Sequence, residues 1–175
     1  DWMLHDAEYF SLLRPLTELH VTKLFAQYPQ YFTSFTSCNK NWKISGDGPE
    51  SRWCGDCPKC AFVFALLAAH VDRKTLDVIF DKNMFDEHEL LPLYRQLLGI
   101  EGTKPFECVG TPEETVAAFL MAHERGDLDD TAAMQLFLKS SVFKAIKKPK
   151  PLIAKQFELG TRHLVPPQYL SLLPR

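Results

Sequence analysis

Residues 54–70 decide how this chain folds, and they read CGDCPKCAFVFALLAAH. Three cysteines fall within the first seven residues, and nine apolar residues follow from Ala61 to Ala69. Pro58 stands between the second and third cysteines, and proline is favoured in the first turn of a helix because its missing N–H costs little there. An apolar run without polar interruption is typical of a helix that is buried on all sides. The stretch therefore predicts a buried helix that starts at Pro58, beside a group of thiols.

A fourth cysteine, Cys38, completes the spacing Cys-x15-Cys-x2-Cys-x2-Cys. Zinc binds four thiolates in a tetrahedron, and its protein sites commonly contain Cys-x-x-Cys pairs. Basic side chains at Lys40, Arg52 and Lys59 would offset the negative charge of such a site. The spacing predicts one zinc ion bound by Cys38, Cys54, Cys57 and Cys60. Four protein ligands leave no open coordination position, so we expect the zinc to be structural.

The same four cysteines also fit an iron–sulfur cluster, or no metal at all. A Cys-x2-Cys-x2-Cys run with a remote cysteine is the ferredoxin arrangement for a [4Fe–4S] cluster. In that arrangement a proline follows the remote cysteine, whereas Asn39 follows Cys38 here. Without a metal, the cysteines would simply be buried thiols. The six histidines show no spacing that would add a metal ligand.

The rest of the sequence predicts a mainly α fold, because capping residues, first-turn prolines and terminal glycines mark several helices. The expected helices run from Pro15 to Pro29, from Pro58 to about His70, from Asp72 to Phe80, from Asp86 or Glu87 to Gly99, from Thr111 to Gly126, and from about Asp130 to Ser141. Thr111-Pro112-Glu113-Glu114 is the strongest start, since Thr111 can cap the helix and Glu114 can complete a capping box. The sequence contains no alternating apolar and polar pattern of the length that would predict a strand.

The chain divides into three expected parts. Helical periodicity disappears between Tyr28 and Pro58, where Gly46-Asp47-Gly48-Pro49 predicts a turn, so we expect a long loop that the metal restrains. Lysines and prolines after Ala145 predict an extended tail. Asp1 is not an initiator methionine, so we expect the chain to be a fragment, or one domain, of a longer protein. The expected parts are the end of a preceding domain (1–27), a zinc-bearing helical domain (28–145) and an extended tail (146–175).

Composition excludes two classes of partner and favours one compartment. The net charge of −2 and the pI near 6.3 give no basic field for nucleic acid. The sequence has no run of 18 apolar residues, which is the length that would predict a membrane span. The five cysteines do not form a disulfide-like framework, and the first residues do not read as a signal peptide, so we expect a cytoplasmic protein.

Four motifs in order resemble the MurL family, the ATP-dependent epimerases of bacterial cell-wall precursor synthesis. They are YFSLLRPLTEL at 9–19, SCN at 37–39, RWCGDCPKCAFVF at 52–64 and PFECVG at 105–110. The resemblance covers roughly residues 8–140. The cysteine layout is also similar to the zinc site of the cyano-deazaguanine synthase of queuosine biosynthesis, another ATP-pyrophosphatase of the PP-loop type.

The resemblance implies an enzyme that inverts the terminal L-glutamate of UDP-N-acetylmuramoyl-L-alanyl-L-glutamate. It implies that ATP, with Mg²⁺, activates a carboxylate as an acyl-adenylate, which acidifies the adjacent Cα–H, and that AMP and pyrophosphate are released. The sequence lacks a Ser-Gly-Gly-x-Asp-Ser phosphate loop, so we do not expect this chain alone to bind ATP. The expected partners are the UDP-linked muramoyl dipeptide, ATP, and an N-terminal nucleotide-binding domain of the same protein. The resemblance implies that this chain is the C-terminal portion of a larger α/β nucleotide-binding protein, and that residues 1–27 are the end of the nucleotide-binding domain.

Four further residues are candidates for the chemistry of that reaction. Cys108 and Glu107 precede the Thr111 cap and are expected to be catalytic, since a thiol near a helix N-terminus can exchange a proton. The alternatives are a small buried side chain and a solvated carboxylate. Arg14 and Lys23 are expected to bind substrate, because a guanidinium or an ammonium can bind phosphate.

Arg14 could instead pair with Glu18 on the protein surface. A different function also fits the cysteines: a non-enzymatic, zinc-stabilised helical module that docks on a partner protein.

Overall fold

The computed structural model describes residues 8–42 and 51–174, and within them it contains helices and no β-strand. The helices are α1 (Glu18–Phe25), α2 (Pro58–Ala68), α3 (Arg73–Phe80), α4 (Leu91–Leu97), α5 (Pro112–Arg125), α6 (Ala132–Lys139), α7 (Ser141–Ala145) and α8 (Pro149–Lys155). Short 3₁₀ turns occupy Pro29–Tyr31, Asn39–Trp42, His88–Leu90 and Pro167–Leu172. The predicted mainly α fold is confirmed. No helix in the described part of the chain is both long and apolar enough to cross a bilayer.

Helix α2 lies at the centre of the fold, as its apolar sequence predicts. It packs most extensively on α5, and it also contacts α1, α3 and α4. Small residues on both helices, among them Ala61 and Ala65 of α2 and Ala117 of α5, are fully buried and let the two backbones approach closely. Phe62 and Phe64 are fully buried as well, and each such side chain contributes about 1.5–3 kcal/mol of hydrophobic stabilisation.

A continuous row of aromatic rings connects the cysteine-bearing loop to the opposite side of the fold. Successive ring centroids are 4.6–5.3 Å apart, which is the range of favourable edge-to-face and offset contacts. The row consists of Phe35, Trp53, Phe80, Phe64, Phe85, Phe119, Phe137 and Phe143. The loop is therefore anchored to the core by packing in addition to its thiols.

The strongest helix starts are confirmed. Asp72 caps α3 by accepting from the N–H of Thr75, and Thr111 with Glu114 forms the predicted capping box of α5. Gly126 ends α5 in the left-handed conformation that favours glycine (φ 82°). These features depend on contacts within one turn of chain, which explains why the sequence predicts them.

Three expectations about the helices need correction. The first helix begins at Glu18 and not at Pro15, because the Thr17 side chain accepts from the N–H of His20 and caps it there. The helix expected up to Ser141 ends at Lys139, since Ser140 takes an extended conformation and caps α7. The segment expected from Asp86 or Glu87 to Gly99 is a 3₁₀ turn followed by α4.

The expectation of an extended tail at 146–175 is wrong for two of its segments, since Pro149–Lys155 forms α8 and Pro167–Leu172 forms a 3₁₀ turn. Helix α8 starts with a proline and packs on α5. The predicted turn at 46–49 lies outside the described residues. The assignment of 1–27, 28–145 and 146–175 to separate parts of a larger protein stays a prediction.

The two ends of the described chain meet. The Thr17 hydroxyl donates to the carbonyl of Gln156 at 2.7 Å, and the N–H of Gly160 donates to the carbonyl of Pro15 at 2.7 Å. A Cβ at Gly160 would lie 3.3 Å from that carbonyl oxygen, so glycine permits the close approach. The segment after α8 thus forms a wall beside the start of α1.

Candidate functional site

Four sulfurs form the most distinctive chemical group in the described structure. The Sγ atoms of Cys38, Cys54, Cys57 and Cys60 all lie within 4.8 Å of one another. The sulfur of Cys60 is 3.4 Å from that of Cys57 and 3.6 Å from that of Cys54. Four thiolates about 2.3 Å from one tetrahedral ion would be about 3.8 Å apart. The cluster therefore has the dimensions of a site for a single metal ion.

The start of α2 positions three of these thiols. Cys57 is the N-cap of α2, and its sulfur accepts from the N–H of Cys60 at 3.4 Å. Cys60 lies one turn into the helix, so both sulfurs face the same point. Gly55 follows Cys54 with a φ of 70°, a conformation that favours glycine, and it turns the chain back toward the helix.

Cys38 reaches the cluster from the preceding loop through a hydroxyl bridge. The Thr36 hydroxyl accepts from the N–H of Cys38 at 3.1 Å and donates to the carbonyl of Arg52 at 2.6 Å. The Asn41 side-chain amide donates to the same carbonyl. These bonds join the segment that carries Cys38 to the segment that enters α2, and they hold Cys38 beside the other thiols.

Hydrogen bonding and burial shift the thiol pKa values unequally. Hydrogen bonding with Cys60 lowers the pKa of Cys57 to about 5 and raises that of Cys60. Burial, with a hydrogen bond to Asp56, raises the pKa of Cys54 to about 12. In this crowded cluster Cys57 therefore loses its proton readily, whereas Cys54 and Cys60 resist deprotonation. A bound dication would remove that resistance, as thiols that coordinate metals are deprotonated.

Two lysines beside the cluster are already paired. Lys40 forms an ion pair with Asp56 at 2.5 Å, and Lys59 forms one with Glu18 at 2.9 Å. Lys59 is largely buried, with a side-chain exposure of 12%. Among the described residues Glu18 pairs with Lys59, and no ion pair joins it to Arg14.

The loop that carries Cys108 and Glu107 lies next to the cysteine cluster. Asn39, the residue after Cys38, donates a side-chain hydrogen bond to the Glu107 carboxylate. Lys104 donates to the carbonyl of Val109 at 2.9 Å, which closes the loop on itself. Cys108 is exposed, so the alternative of a small buried side chain does not apply. The catalytic roles of Cys108 and Glu107 stay predictions.

The structure separates the two expected substrate-binding cations. Arg14 lines a cavity of about 960 Å³ between the start of α1, the start of α5 and α8. Lys23 is not among the residues that line it; its ammonium lies 4.8 Å from the centre of the Phe157 ring. Two further cations, Lys155 and Arg162, line the cavity, and the sequence does not predict them because neither stands in a recognisable motif.

Comparison with known proteins agrees with the motifs. The family described as the MurL C-terminal domain matches residues 34–150. A curated relative from a Micromonospora species, named UDP-N-acetyl-alpha-D-muramoyl-L-alanyl-L-glutamate epimerase, is 39% identical over 165 residues, which are 94% of this chain and 36% of the relative. No solved structure matches the chain.

Two more curated relatives carry the same name. The protein from Xanthomonas oryzae is 41% identical over 134 residues, which are 77% of this chain and 30% of the relative. The protein from Salinispora tropica is 42% identical over 130 residues, which are 74% of this chain and 28% of the relative. The chain thus spans about a third of the length of the curated relatives it matches.

Proposed function

The chain belongs to the MurL C-terminal domain family, and on that premise we propose that it forms part of an ATP-dependent epimerase of peptidoglycan-precursor synthesis. The reaction inverts the terminal L-glutamate of UDP-N-acetylmuramoyl-L-alanyl-L-glutamate. The observation that carries the proposal is the 39% identity with a protein named as that epimerase over 94% of this chain. Thiols that must stay reduced to bind a metal favour the cytoplasm as its compartment.

In this proposal the chain supplies proton-transfer groups, while ATP and Mg²⁺ bind to an N-terminal nucleotide-binding domain. ATP supplies activation of the glutamate carboxylate, which makes the neighbouring Cα–H acidic enough for a side chain to remove. Cys108 and Glu107 act as the acid and base on opposite faces of Cα: one takes the proton and the other returns one. Cys108 is exposed and Glu107 is half-buried, so the thiol is accessible to a substrate held outside this domain.

We assign the cysteine cluster to one structural zinc ion held by Cys38, Cys54, Cys57 and Cys60. Four irons of a [4Fe–4S] cluster would spread their thiolates farther apart than one ion does, because each thiolate binds a different corner. The separations within 4.8 Å therefore favour a single ion. The zinc would fix Cys38 and hence Asn39, which holds Glu107 in place.

The direct test uses the protein made from the whole reading frame that encodes these 175 residues. It would be incubated with the UDP-linked L-alanyl-L-glutamate substrate, ATP and Mg²⁺, and the D-glutamate released by acid hydrolysis would be measured. We expect ATP-dependent formation of D-glutamate and of AMP. A correctly folded, zinc-loaded protein that forms no D-glutamate would contradict the proposal and favour the non-enzymatic interaction module.

A further inference from the structure

Two cavities share a boundary formed by two arginines. The cavity of about 960 Å³ and a second one of about 490 Å³ are both lined by Arg14 and Arg162. Both volumes are in the range of small-molecule sites. The shared arginines join the two cavities into one elongated cleft along the meeting point of the two chain ends.

The positions of these arginines are set by hydrogen bonds close to them in the chain. The carbonyl of Pro15, next to Arg14, accepts from the N–H of Gly160, two residues before Arg162. Stacking of the Phe10 and Tyr169 rings, with centroids 5.1 Å apart, adds a second connection between the same two segments. These two contacts hold the segments that carry Arg14 and Arg162 side by side, so both guanidinium groups line the same cleft.

The cations of the cleft are unpaired in the described structure. Among residues 8–42 and 51–174, no carboxylate lies within ion-pair distance of Arg14, Arg162 or Lys155. Glu113 and Glu158 also line the larger cavity, which leaves one excess positive charge there. This excess favours an anionic ligand over a neutral one.

Several backbone N–H groups at the starts of α1 and α5 already have acceptors within the protein. The Glu114 carboxylate accepts from the backbone N–H groups of Glu18 and Thr111, and Thr17 accepts from that of His20. The arginine side chains, in contrast, can donate to an anion in the cleft. Guanidinium groups suit this task, since their paired N–H groups match two phosphate oxygens at once.

The smaller cavity adds an apolar, aromatic surface beside the arginines. Its lining includes Tyr9 and Leu164, whose side chains are 98% and 85% exposed, together with Phe10 and His163. Exposed aromatic rings next to a cationic site are the arrangement on which proteins stack nucleobases. The neighbouring cavities thus combine a surface for a planar ring with a site for phosphate.

We propose that Arg14 and Arg162 bind the diphosphate group of a nucleotide, whose base stacks on Tyr9 in the smaller cavity. This inference rests on the proposed function in one respect: that reaction offers two such ligands, the uridine diphosphate of the substrate and ATP. The diphosphate chemistry is the same for both, so the nucleotide whose binding depends on Arg14 and Arg162 identifies the source.

The test measures dissociation constants of UDP, ADP and inorganic pyrophosphate for the intact protein by titration calorimetry. Arg14→Ala and Arg162→Ala should each weaken UDP or ADP binding by about 10-fold or more, since each removes charge-assisted hydrogen bonds. Pyrophosphate binding should weaken to the same degree. Tyr9→Ala should weaken nucleotide binding about 5-fold or more and leave pyrophosphate binding unchanged. The nucleotide whose affinity falls in Arg14→Ala and Arg162→Ala identifies the source: UDP would indicate the substrate, and ADP would indicate ATP.

A matched control is Arg95→Ala, since Arg95 is paired with Glu101 and lines neither cavity. Its affinities should equal those of the wild type. Unchanged affinity of the Arg14→Ala/Arg162→Ala double variant for all three ligands would overturn the inference, as would a wild type that binds none of them. A wild type that binds UDP through these arginines but forms no D-glutamate would contradict only the proposed function. Normal KM and D-glutamate formation in the double variant would contradict only this inference.

Discussion

The Glu114 carboxylate accepts a hydrogen bond of 2.7 Å from the backbone N–H of Glu18, a residue 96 positions earlier in the chain. Its other oxygen accepts from the N–H of Thr111 at 2.9 Å and closes the capping box of α5. Glu114 is only 5% exposed. One buried carboxylate therefore accepts hydrogen bonds from backbone N–H groups at the starts of two helices, α1 and α5. These bonds fix the relative position of the two helices at the cleft.

Replacement of Glu114 by alanine should lower the free energy of unfolding by about 2–4 kcal/mol, because it leaves buried N–H donors at two helix starts without acceptors. Glu114→Gln should have a smaller effect, since one oxygen remains. Urea unfolding followed by circular dichroism measures the change. The control is Glu113→Ala, a less buried neighbour in the same turn, for which we expect less than about 0.5 kcal/mol. Equal effects of the two alanine variants would show that the double cap contributes little.

Loss of one clustered thiol should remove the metal. The purified protein should contain one zinc per chain, and Cys57→Ser or Cys60→Ser should reduce this to near zero, because a neutral hydroxyl is a poor zinc ligand. Metal content is measured by mass spectrometry of the digested protein. Cys108→Ser is the matched control, since Cys108 is exposed and outside the cluster, and it should keep its zinc. A brown, iron-containing protein would contradict the zinc assignment.

Replacement of Cys108 by serine should abolish formation of D-glutamate that carries a solvent-derived hydrogen at Cα. A serine hydroxyl is a much weaker acid than a thiol, so it cannot exchange a proton efficiently on its face of Cα near neutral pH. The measurement is the deuterium content of the D-glutamate that the complete protein forms from substrate and ATP in D₂O. The exposed position means that the unfolding midpoint should not change, so a loss of inversion would report chemistry and not folding. Unchanged formation of deuterated D-glutamate would remove Cys108 from the mechanism.

The stability of the protein should fall between about pH 6.5 and pH 4 partly because of His70. Burial lowers the pKa of His70 from 6.5 to about 4, while its Nε2 lies 3.3 Å from the carbonyl oxygen of Leu19. In that range the unfolded chain binds a proton that the folded chain does not, so the free energy of unfolding decreases as the pH falls. Below about pH 4 both states are protonated and this loss is complete. We expect about 3 kcal/mol from this one group.

The variant His70→Gln isolates this effect, because glutamine can still donate to Leu19 and does not titrate. The difference in unfolding free energy between about pH 7 and about pH 4.5 should be smaller in this variant than in the wild type. Acid release of metal affects both proteins equally, since both keep the four clustered cysteines. The control is the same substitution at His88, a more exposed histidine, which should leave the profile unchanged. Identical profiles for His70→Gln and the wild type would contradict the prediction.

The cysteine cluster is predictable from local sequence for three of its thiols, while the fourth depends on tertiary contacts. Three of its thiols lie within one turn of the α2 start, so their convergence follows from local geometry. Spacing alone assigns Cys38 to the site, and the structure does bring it to the other three. The placement of Cys38 depends on the hydrogen bond from its N–H to the Thr36 hydroxyl and on the contact between Phe35 and Trp53. Neither contact has a recognisable sequence pattern. The identity of the metal stays a prediction.

The end of the chain shows where sequence reasoning fails. Prolines and lysines after Ala145 predict an extended segment, yet Pro149–Lys155 is helical. A helix of seven residues is not stable by its own propensity, so its formation is decided by packing on α5. Lys155 and Arg162 cannot be identified as site residues from the sequence for the same reason, since only this packing brings them beside Arg14.

Local sequence is sufficient for the mainly helical fold, the central helix after Pro58, the capping box of Thr111 and the grouping of three thiols. Each depends on residues within about six positions of one another, where backbone hydrogen bonding and side-chain reach are set locally. Tertiary packing alone produces the double cap of Glu114, the return of the chain end to Pro15 and the cleft between Arg14 and Arg162. These depend on contacts between segments about a hundred or more residues apart in the chain, which buried surface and shape complementarity select and no local pattern records.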